Sequence, residues 1–151
     1  MDLFLRLILI FLAYYLYVSY YKSIKIKTEK LEEINGEFIF TYLSYIMKKE
    51  MYFDIYEVET VSFSKMIIKN KEFARLTLVL TLENNDVIRL FNKRNAIIFF
   101  KSCKENSPVL YEEIFVKSDI FGGMPGFFGL TSLRDIVENE IKRLEEEERY
   151  K

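Results

Sequence analysis

Hydrophobic positions are spread unevenly along the chain, and the longest apolar stretch comes first. Leu3 to Tyr21 is almost entirely apolar or aromatic, with Arg6 as its only charge. About 19 residues at ~1.5 Å each make a helix of ~28 Å, close to the ~30 Å of a bilayer core. The pattern therefore predicts an N-terminal transmembrane helix.

Two other interpretations of this stretch remain open. A cleaved signal peptide has a basic start, a shorter apolar core and a small-x-small cleavage site. Here the chain starts Met1-Asp2, and Val18-Ser19-Tyr20 is a poor cleavage site. A buried core helix is the second alternative, because the length is near the threshold for spanning. We expect an uncleaved anchor that occupies residues 1–21.

The two ends of the stretch carry residues typical of membrane interfaces. Arg6 lies one turn from the start, where its long side chain reaches the headgroups. The far end carries an interfacial aromatic belt of Tyr14, Tyr15, Tyr17, Tyr20 and Tyr21. These residues are predicted to position the helix in the membrane.

Lysines on one side of the helix predict its orientation. Lys22, Lys25 and Lys27 follow the apolar stretch, and Lys30 comes next. Before it stand only Arg6 and the terminal amine, offset by Asp2. Positive charge tends to remain cytoplasmic. We therefore expect a single-pass membrane protein whose remaining part faces the cytoplasm.

After the anchor the hydrophobic period changes to two, which is typical of strands. Ile24 and Ile26 alternate with lysines and predict a strand within Lys22 to Glu33, followed by an Asn35-Gly36 turn. A second strand is predicted over Glu37 to Met47, with a polar break at Lys48-Lys49-Glu50. The pattern resumes at Met51 to Ile55 and again at Val58, Val61 and Phe63, with a bulge or bend near Tyr56 and Glu57.

The clearest strand is Phe73 to Leu82, in which four leucines share one face. Glu83 to Asp86 predicts a turn, and Val87 to Phe91 pairs back as a hairpin. Beyond it, Ala96, Phe99, Phe100 and Cys103 follow a helical period, so an amphipathic helix is predicted to begin near residues 92–95 and to end before Pro108.

The C-terminal third combines an open assignment with a clear helix. Val109 to Val116 fits either a helix or a strand, and Phe121 to Gly129 predicts an irregular loop. A last amphipathic helix is predicted with Ser132 as its N-cap and a charged tail from Glu145. Its apolar stripe consists of Leu133, Ile136, Val137, Ile141 and Leu144. The stripe fits core packing or a coil with a partner.

The order of elements over Lys22 to Asn106 resembles that of bacterial pleckstrin-homology-like (PH-like) domains beside transmembrane helices. The resemblance is carried by Asp54–Val61 (DIYEVETV), by the hairpin Leu76–Phe91 and by the closing helix Asn95–Pro108. It implies a bent antiparallel sheet closed by a helix, and it does not by itself imply phosphoinositide binding. The predicted fold class is thus α+β, with an anchor at 1–21, a PH-like domain at 22–117 and a loop plus amphipathic helix at 118–151.

Composition limits the chemistry that the chain can perform. The 151 residues carry a net charge of −1, one cysteine and no histidine. Nothing indicates nucleic-acid binding, because there is no basic excess to hold phosphates. The absence of histidine excludes the Ser-His-Asp and Cys-His catalytic arrangements. Cys103, on the apolar face of its helix, is interpreted as a small buried hydrophobe rather than as a reactive thiol. We expect no cofactor, no metal and no small-molecule substrate.

Three carboxylate pairs are candidates for acid–base or metal chemistry. They are Glu32/Glu33, Glu57/Glu59 and Glu112/Glu113. Only Glu57 and Glu59 share a face, provided that their stretch is a regular strand. A solvated surface is the simpler interpretation of all three.

The glycine-rich loop Phe121–Gly129 has several interpretations. A phosphate cradle would need a following Gly-Lys-Ser/Thr, which is absent, and the loop is apolar. A structural connector is one alternative, and a contact with the membrane interface or a partner through Met124, Phe127 and Phe128 is another. A basic cluster of Lys65, Lys69, Lys71 and Arg75 fits a solvated turn or attraction to anionic headgroups.

These patterns favour a non-enzymatic binding or scaffold domain held at the membrane, with the bilayer and a membrane protein as partners. Two alternatives stay open: an accessory subunit of a larger membrane complex, and a small enzyme with a carboxylate-only or metal site.

Overall fold

The computed structural model describes residues 2–122 and 133–150. It begins with a long helix, α1 (Leu3–Thr28), whose N-cap is Asp2. Within these described ranges, six strands follow in two groups of three, and three helices follow the strands. The chain is therefore an α+β protein with a long apolar helix at its N-terminal side.

Helix α1 overturns one sequence prediction. The strand expected from Ile24 and Ile26 is wrong, because the helix continues through Thr28 and the first strand begins at Lys30. Ile24 is half-buried and Ile26 is exposed. The alternation was misleading because it rests on two isoleucines only, and in a helix residues i and i+2 lie on nearly opposite sides, so that Ile24 packs on the domain while Ile26 points away from it.

The first sheet is an antiparallel meander of β1 (Lys30–Ile34), β2 (Glu37–Ser44) and β3 (Met47–Asp54). The polar break predicted at residues 48–50 is wrong, since Lys48 and Lys49 lie within β3 and pair with Leu43 and Tyr42. The turn instead contains Tyr45 and Ile46. Backbone pairing with β2 keeps β3 extended although its first half is exposed.

A 3-10 turn, Ile55–Glu57, leads into the second sheet. This sheet contains β4 (Val58–Lys69), β5 (Glu72–Leu82) and β6 (Val87–Leu90), all antiparallel. The predicted bend near residues 56–57 is confirmed, as is the hairpin from β5 to β6. The leucines that alternate along β5 are buried, with Leu78 and Leu80 at 0% exposure.

Three helices complete the fold: α2 (Lys93–Asn106), α3 (Pro108–Gly122) and α4 (Leu133–Arg149). The side chain of Asn92 caps α2, and Phe99 and Phe100 are fully buried in the core. Residues 109–116, which fitted helix or strand, are helical. The core-packing interpretation of the α4 stripe is confirmed, because all five of its residues are buried. The predicted cap Ser132 lies outside the described residues.

Candidate functional site

Helix α1 changes its surroundings part-way along its length. Every side chain in residues 2–17 is exposed. From there on, one face is half-buried, and it consists of Val18, Tyr21, Ile24, Lys25 and Thr28. A spacing of three or four residues places these side chains on one side of a helix. We call residues 2–17 the free part of α1 and residues 18–28 its docked part.

Helix α1 is long and apolar enough to cross a membrane, and its most apolar window is 0% buried within the described part of the chain. The free part supplies most of this window. The docked part packs on the domain, so the helix joins a candidate membrane span to the folded sheets without a linker.

Glu29, the C-cap of α1, connects the docked part of the helix to the domain. Its side chain is only 6% exposed. One carboxylate oxygen accepts a hydrogen bond from the backbone N–H of Phe91 at 3.0 Å. The other accepts from the backbone N–H of Asn92 at 2.9 Å. Both donors precede α2, so the carboxylate satisfies N–H groups beside the positive end of that helix dipole.

Asn95, in the first turn of α2, completes the connection. It is 5% exposed. Its amide nitrogen donates to the Glu29 carboxylate at 3.0 Å and to the Glu29 backbone carbonyl at 3.1 Å. Its side-chain oxygen accepts from the backbone N–H of Leu31 at 3.2 Å. Asn95 therefore holds the backbone on both sides of the step from α1 into β1. We call Glu29, Asn92 and Asn95 the polar joint.

Burial raises the pKa of Glu29 above its ordinary 4.5. Removal of the carboxylate from water is the largest cause, since desolvation disfavours the charged form. The hydrogen bonds from Asn95, Phe91 and Asn92, and the charge of Lys25, act in the opposite direction. The joint thus holds a carboxylate whose cost of burial is partly offset by donors placed around it.

Contacts along the docked part extend the junction beyond the polar joint. The hydroxyl of Tyr21 accepts a hydrogen bond from the backbone N–H of Tyr45 at 2.9 Å. The ammonium of Lys25 lies 5.4 Å from the centroid of the Phe91 ring, within cation–π range. A small cavity of about 170 Å³ lies here, with Lys25, Glu29 and Arg89 in its lining. Helix α1 is therefore held by the β2–β3 turn of the first sheet and by the residues between β6 and α2.

The predicted anchor residues divide between the two parts of α1. Side chains of Arg6, Tyr14, Tyr15, Tyr17, Tyr20, Lys22 and Lys27 are exposed. Tyr21 and Lys25 are half-buried, because Tyr21 is hydrogen-bonded to Tyr45 and Lys25 lies over the ring of Phe91. The predicted contact residues Met124, Phe127 and Phe128 lie outside the described residues.

The candidate chemical groups occupy structural positions. Cys103 is 0% exposed, and burial raises its pKa, so its interpretation as a buried hydrophobe is confirmed. Glu33 accepts from the backbone N–H of Gly36 and from the hydroxyl of Ser102. Glu57 lies in the 3-10 turn, so the regular strand assumed for it and Glu59 is wrong. Glu112 forms an ion pair with Arg134.

A second buried carboxylate, Glu140, lies on α4 at 6% exposure. Its oxygens lie 3.6 Å from the Lys93 ammonium and 3.7 Å from the Arg143 guanidinium. Arg143 also pairs with Glu72 of β5. The group is a charge network that ties α4 to the start of α2 and to β5.

The outer surface of the first sheet carries an open recess of about 440 Å³. Four acidic residues line it, namely Glu32, Glu37, Asp54 and Glu57. Exposed Ile34 and Tyr52 lie among them, at 68% and 67% exposure. The surface combines negative charge with apolar contact area. At the other sheet, the basic cluster (Lys65, Lys69, Lys71, Arg75) is exposed around the β4–β5 turn.

Sequence reasoning missed the residues that build the junction. Glu29 is one of several glutamates near charged neighbours, and nothing in that pattern distinguishes a buried carboxylate from a solvated one. Asn92 and Asn95 were visible as the start of α2, but their long-range partners were not. The misplaced turn could have been recognised from the sequence. The polar break Lys48–Glu50 contains no glycine, asparagine or proline, so it was a weak candidate for the turn that Tyr45 and Ile46 form.

Comparison with known proteins finds no relative for this chain: no family model, no curated protein and no solved structure matches it. Its function is therefore inferred from the geometry of the described residues.

Proposed function

We propose that the chain is a non-enzymatic, single-pass membrane protein that presents a small α+β binding domain on the cytoplasmic face. The observation that carries this proposal is the division of α1. Its free part is an apolar helix in which every residue is exposed, and its docked part is joined to the domain through the C-cap residue Glu29 and its bonds to Asn92 and Asn95. The free part supplies most of the apolar stretch Leu3–Tyr21, and α1 as a whole, with 26 residues, is long and apolar enough to cross a bilayer core.

The domain is further proposed to be PH-like. Two antiparallel three-stranded sheets with an amphipathic helix packed against them support this assignment. In such a fold, function comes from the surfaces that the scaffold displays rather than from the scaffold itself. A binding or scaffold role is accordingly proposed in preference to enzymatic activity.

The orientation is proposed from the lysines at the end of α1. Lys22 and Lys27 are exposed, as expected for residues at a charged membrane surface. Labelling with a membrane-impermeant maleimide tests this. Cys103 is buried, so a Val109→Cys variant, at a site that is 72% exposed, gives an accessible thiol over a low background. The thiol should react only after the membrane is opened; labelling of intact cells would contradict a cytoplasmic domain.

A protein partner in the same membrane is proposed because tethering raises the effective concentration of two anchored proteins. The acidic recess of the first sheet is the described surface best suited to a partner with basic residues. Gentle detergent extraction followed by size analysis and identification of co-purified proteins tests this. Ile34→Ser with Tyr52→Ser should release the partner, whereas Val87→Ser, at an exposed site on the other sheet, should retain it.

The accessory-subunit alternative makes a different prediction in the same experiment. In that case the partner is held by the free part of α1, which would pack against other helices. Association would then survive Ile34→Ser with Tyr52→Ser. A lone protein of the monomer's size after gentle extraction would contradict both forms of the partner proposal.

A further inference from the structure

The four hairpin turns of the two sheets are not alike. Three contain an asparagine in the left-handed region: Asn35 at φ +52°, Asn70 at φ +55° and Asn85 at φ +70°. Asparagine adopts this region at low cost. The turn between β2 and β3 contains Tyr45 at φ +57° followed by Ile46. A tyrosine there costs of order 1 kcal/mol or more, so the geometry of the turn does not explain its apolar residues.

These residues are also among the most exposed apolar side chains of the domain. Tyr45 is 83% exposed, Ile46 is 91% exposed and Met47 is 65% exposed. We call residues 45–47 the hairpin tip. Contiguous exposed apolar side chains mark contact surfaces, because leaving them in water is unfavourable.

The position of the hairpin tip indicates what covers it. The backbone N–H of Tyr45 donates to the hydroxyl of Tyr21 at 2.9 Å. Tyr21 ends the apolar stretch that begins at Leu3, a rise of ~27 Å at 1.5 Å per residue. That rise is close to the thickness of a bilayer core. A helix that spans the bilayer therefore places Tyr21, and with it the hairpin tip, at the membrane surface.

The charges around the hairpin tip match an anionic membrane surface. Lys48 and Lys49 follow it directly and are exposed, and Lys22 lies exposed next to Tyr21 on α1. An apolar tip with lysines around it is typical of segments that lie in the interface, where the lysines contact anionic headgroups.

We propose that the hairpin tip inserts into the headgroup–acyl boundary of the leaflet through which α1 leaves the membrane. It forms a second membrane contact beside the anchor. This inference depends on the proposed membrane span of α1. The bilayer is the occupant that the observations favour, because the tip is bonded to the helix at the level where the apolar stretch ends.

Single-tryptophan variants of the full chain test the proposal, since the natural sequence contains no tryptophan. Ile46→Trp is reconstituted in vesicles of anionic lipid with brominated acyl chains. Insertion by ~5–10 Å into the boundary predicts blue-shifted emission and quenching at least about twofold above that of a solvated tryptophan. Met47→Trp gives an independent reading of the same tip.

Two matched positions make the result decisive. Tyr56→Trp is the solvated control: Tyr56 is 71% exposed, and its hydroxyl donates to the Asn106 carbonyl at the end of α2 that is remote from the polar joint. Leu12→Trp, in the middle of the apolar stretch, is the control for a tryptophan surrounded by lipid. Circular dichroism confirms that each variant is folded.

The outcomes separate the two proposals. Strong quenching at Leu12 and at the hairpin tip, but not at Tyr56, supports insertion. Quenching at Leu12 with tip signals equal to Tyr56 overturns insertion and leaves the anchor in place. A blue-shifted but unquenched tip also overturns it, because protein rather than lipid would then cover these residues. An unquenched Leu12 overturns the membrane span itself.

Discussion

The free and docked parts of α1 belong to one uninterrupted helix of 26 residues, yet they are built for different surroundings. The free part exposes apolar side chains on every face. The docked part alternates lysines with residues that pack on one side against the domain. On the proposed membrane span, the first part has lipid around it, whereas the second has the folded domain on one side and the membrane surface or water on the other.

On the proposed membrane span, the boundary between membrane and water falls within a continuous helix. In a chain with a flexible linker after its span, the domain would turn freely relative to the membrane. Here the polar joint begins at Glu29, the residue directly after α1, so no flexible linker separates the helix from the domain. On the proposed span, the domain's orientation would therefore follow the direction in which the helix leaves the bilayer.

The largest effect is expected when a charge is introduced into the free part of α1 and, for comparison, into its docked part. Leu9→Asp with Leu12→Asp places two carboxylates in the free part, each costing ~2.5–3.5 kcal/mol in a membrane centre. The double variant should fail to insert and should appear in the soluble or aggregated fraction. Ile26→Asp, at a site in the docked part that is 40% exposed, should remain membrane-bound. Equal behaviour of both variants would remove the distinction between the parts.

Removal of the joint carboxylate should give the next largest effect. Glu29→Ala leaves the N–H groups of Phe91 and Asn92 and one N–H of the Asn95 amide without their acceptor, while the bond from Asn95 to the backbone carbonyl of residue 29 remains. At ~1–3 kcal/mol for a buried unpaired group, the loss of stability should be roughly 3 kcal/mol. Thermal unfolding of the full chain in nanodiscs measures it, and hydrogen exchange should show faster exchange at Phe91 and Asn92.

Glu32→Ala is the matched control for this change. Glu32 is half exposed and pairs with Lys30 at the surface, where ion pairs contribute little. The free energy of unfolding of the Glu32→Ala variant should remain within about 0.5 kcal/mol of that of the natural chain. A loss as large as that of Glu29→Ala would mean that the polar joint has no special role.

Tyr21→Phe should give a smaller and more local effect. The substitution removes only the hydroxyl that accepts from the Tyr45 N–H, a bond worth about 0.5–1.5 kcal/mol. Exchange of the Tyr45 amide should accelerate by up to about tenfold. Tyr14→Phe in the free part, where the side chain is 67% exposed, should leave that amide unchanged. If both variants accelerate exchange equally, the contact between helix and hairpin is not specific.

The smallest expected effect is a pH dependence. Because the pKa of Glu29 is raised in the folded state, this state binds a proton more readily than the unfolded chain. The group's stabilising contribution is fully present below its ordinary 4.5 and is lost as the pH rises through the folded pKa. The stability of the natural chain relative to Glu29→Gln should therefore increase as the pH falls from about 7 towards 5. A difference that stays constant, or that decreases, would contradict the raised pKa.

Much of the local structure was predictable, because an element with one buried face repeats its hydrophobic residues with the period of a strand or of a helix. The leucines of β5, the helical period of α2 and the stripe of α4 all gave the correct element. The prediction failed at Ile24 and Ile26, because two alternating isoleucines are too few to distinguish a strand from a helix in which only one of them packs on the domain. It also failed at Lys48 and Lys49, where an exposed edge strand is held by backbone bonds that no side-chain pattern records.

The junction could not be predicted because it depends on long-range pairing. Glu29 lies 66 positions from Asn95 in the chain, and no spacing rule connects them. What the sequence did supply was the apolar stretch and the lysines after it. The boundary between the free and docked parts of α1 could be seen only from burial. The apolar and aromatic residues continue through Tyr21, whereas packing on the domain already begins at Val18.

On the proposed membrane span, the polar joint would also transmit a tilt of α1 to the whole domain. A spanning helix adjusts its tilt to the thickness of the bilayer, with typical tilts of ~20°. Helix α2 has 14 residues, about 21 Å at 1.5 Å per residue, so a rotation of that size moves its far end by up to ~7 Å. A local thickening or thinning of the lipid would thus be converted into a displacement of the domain's outer surface, without any change in its fold.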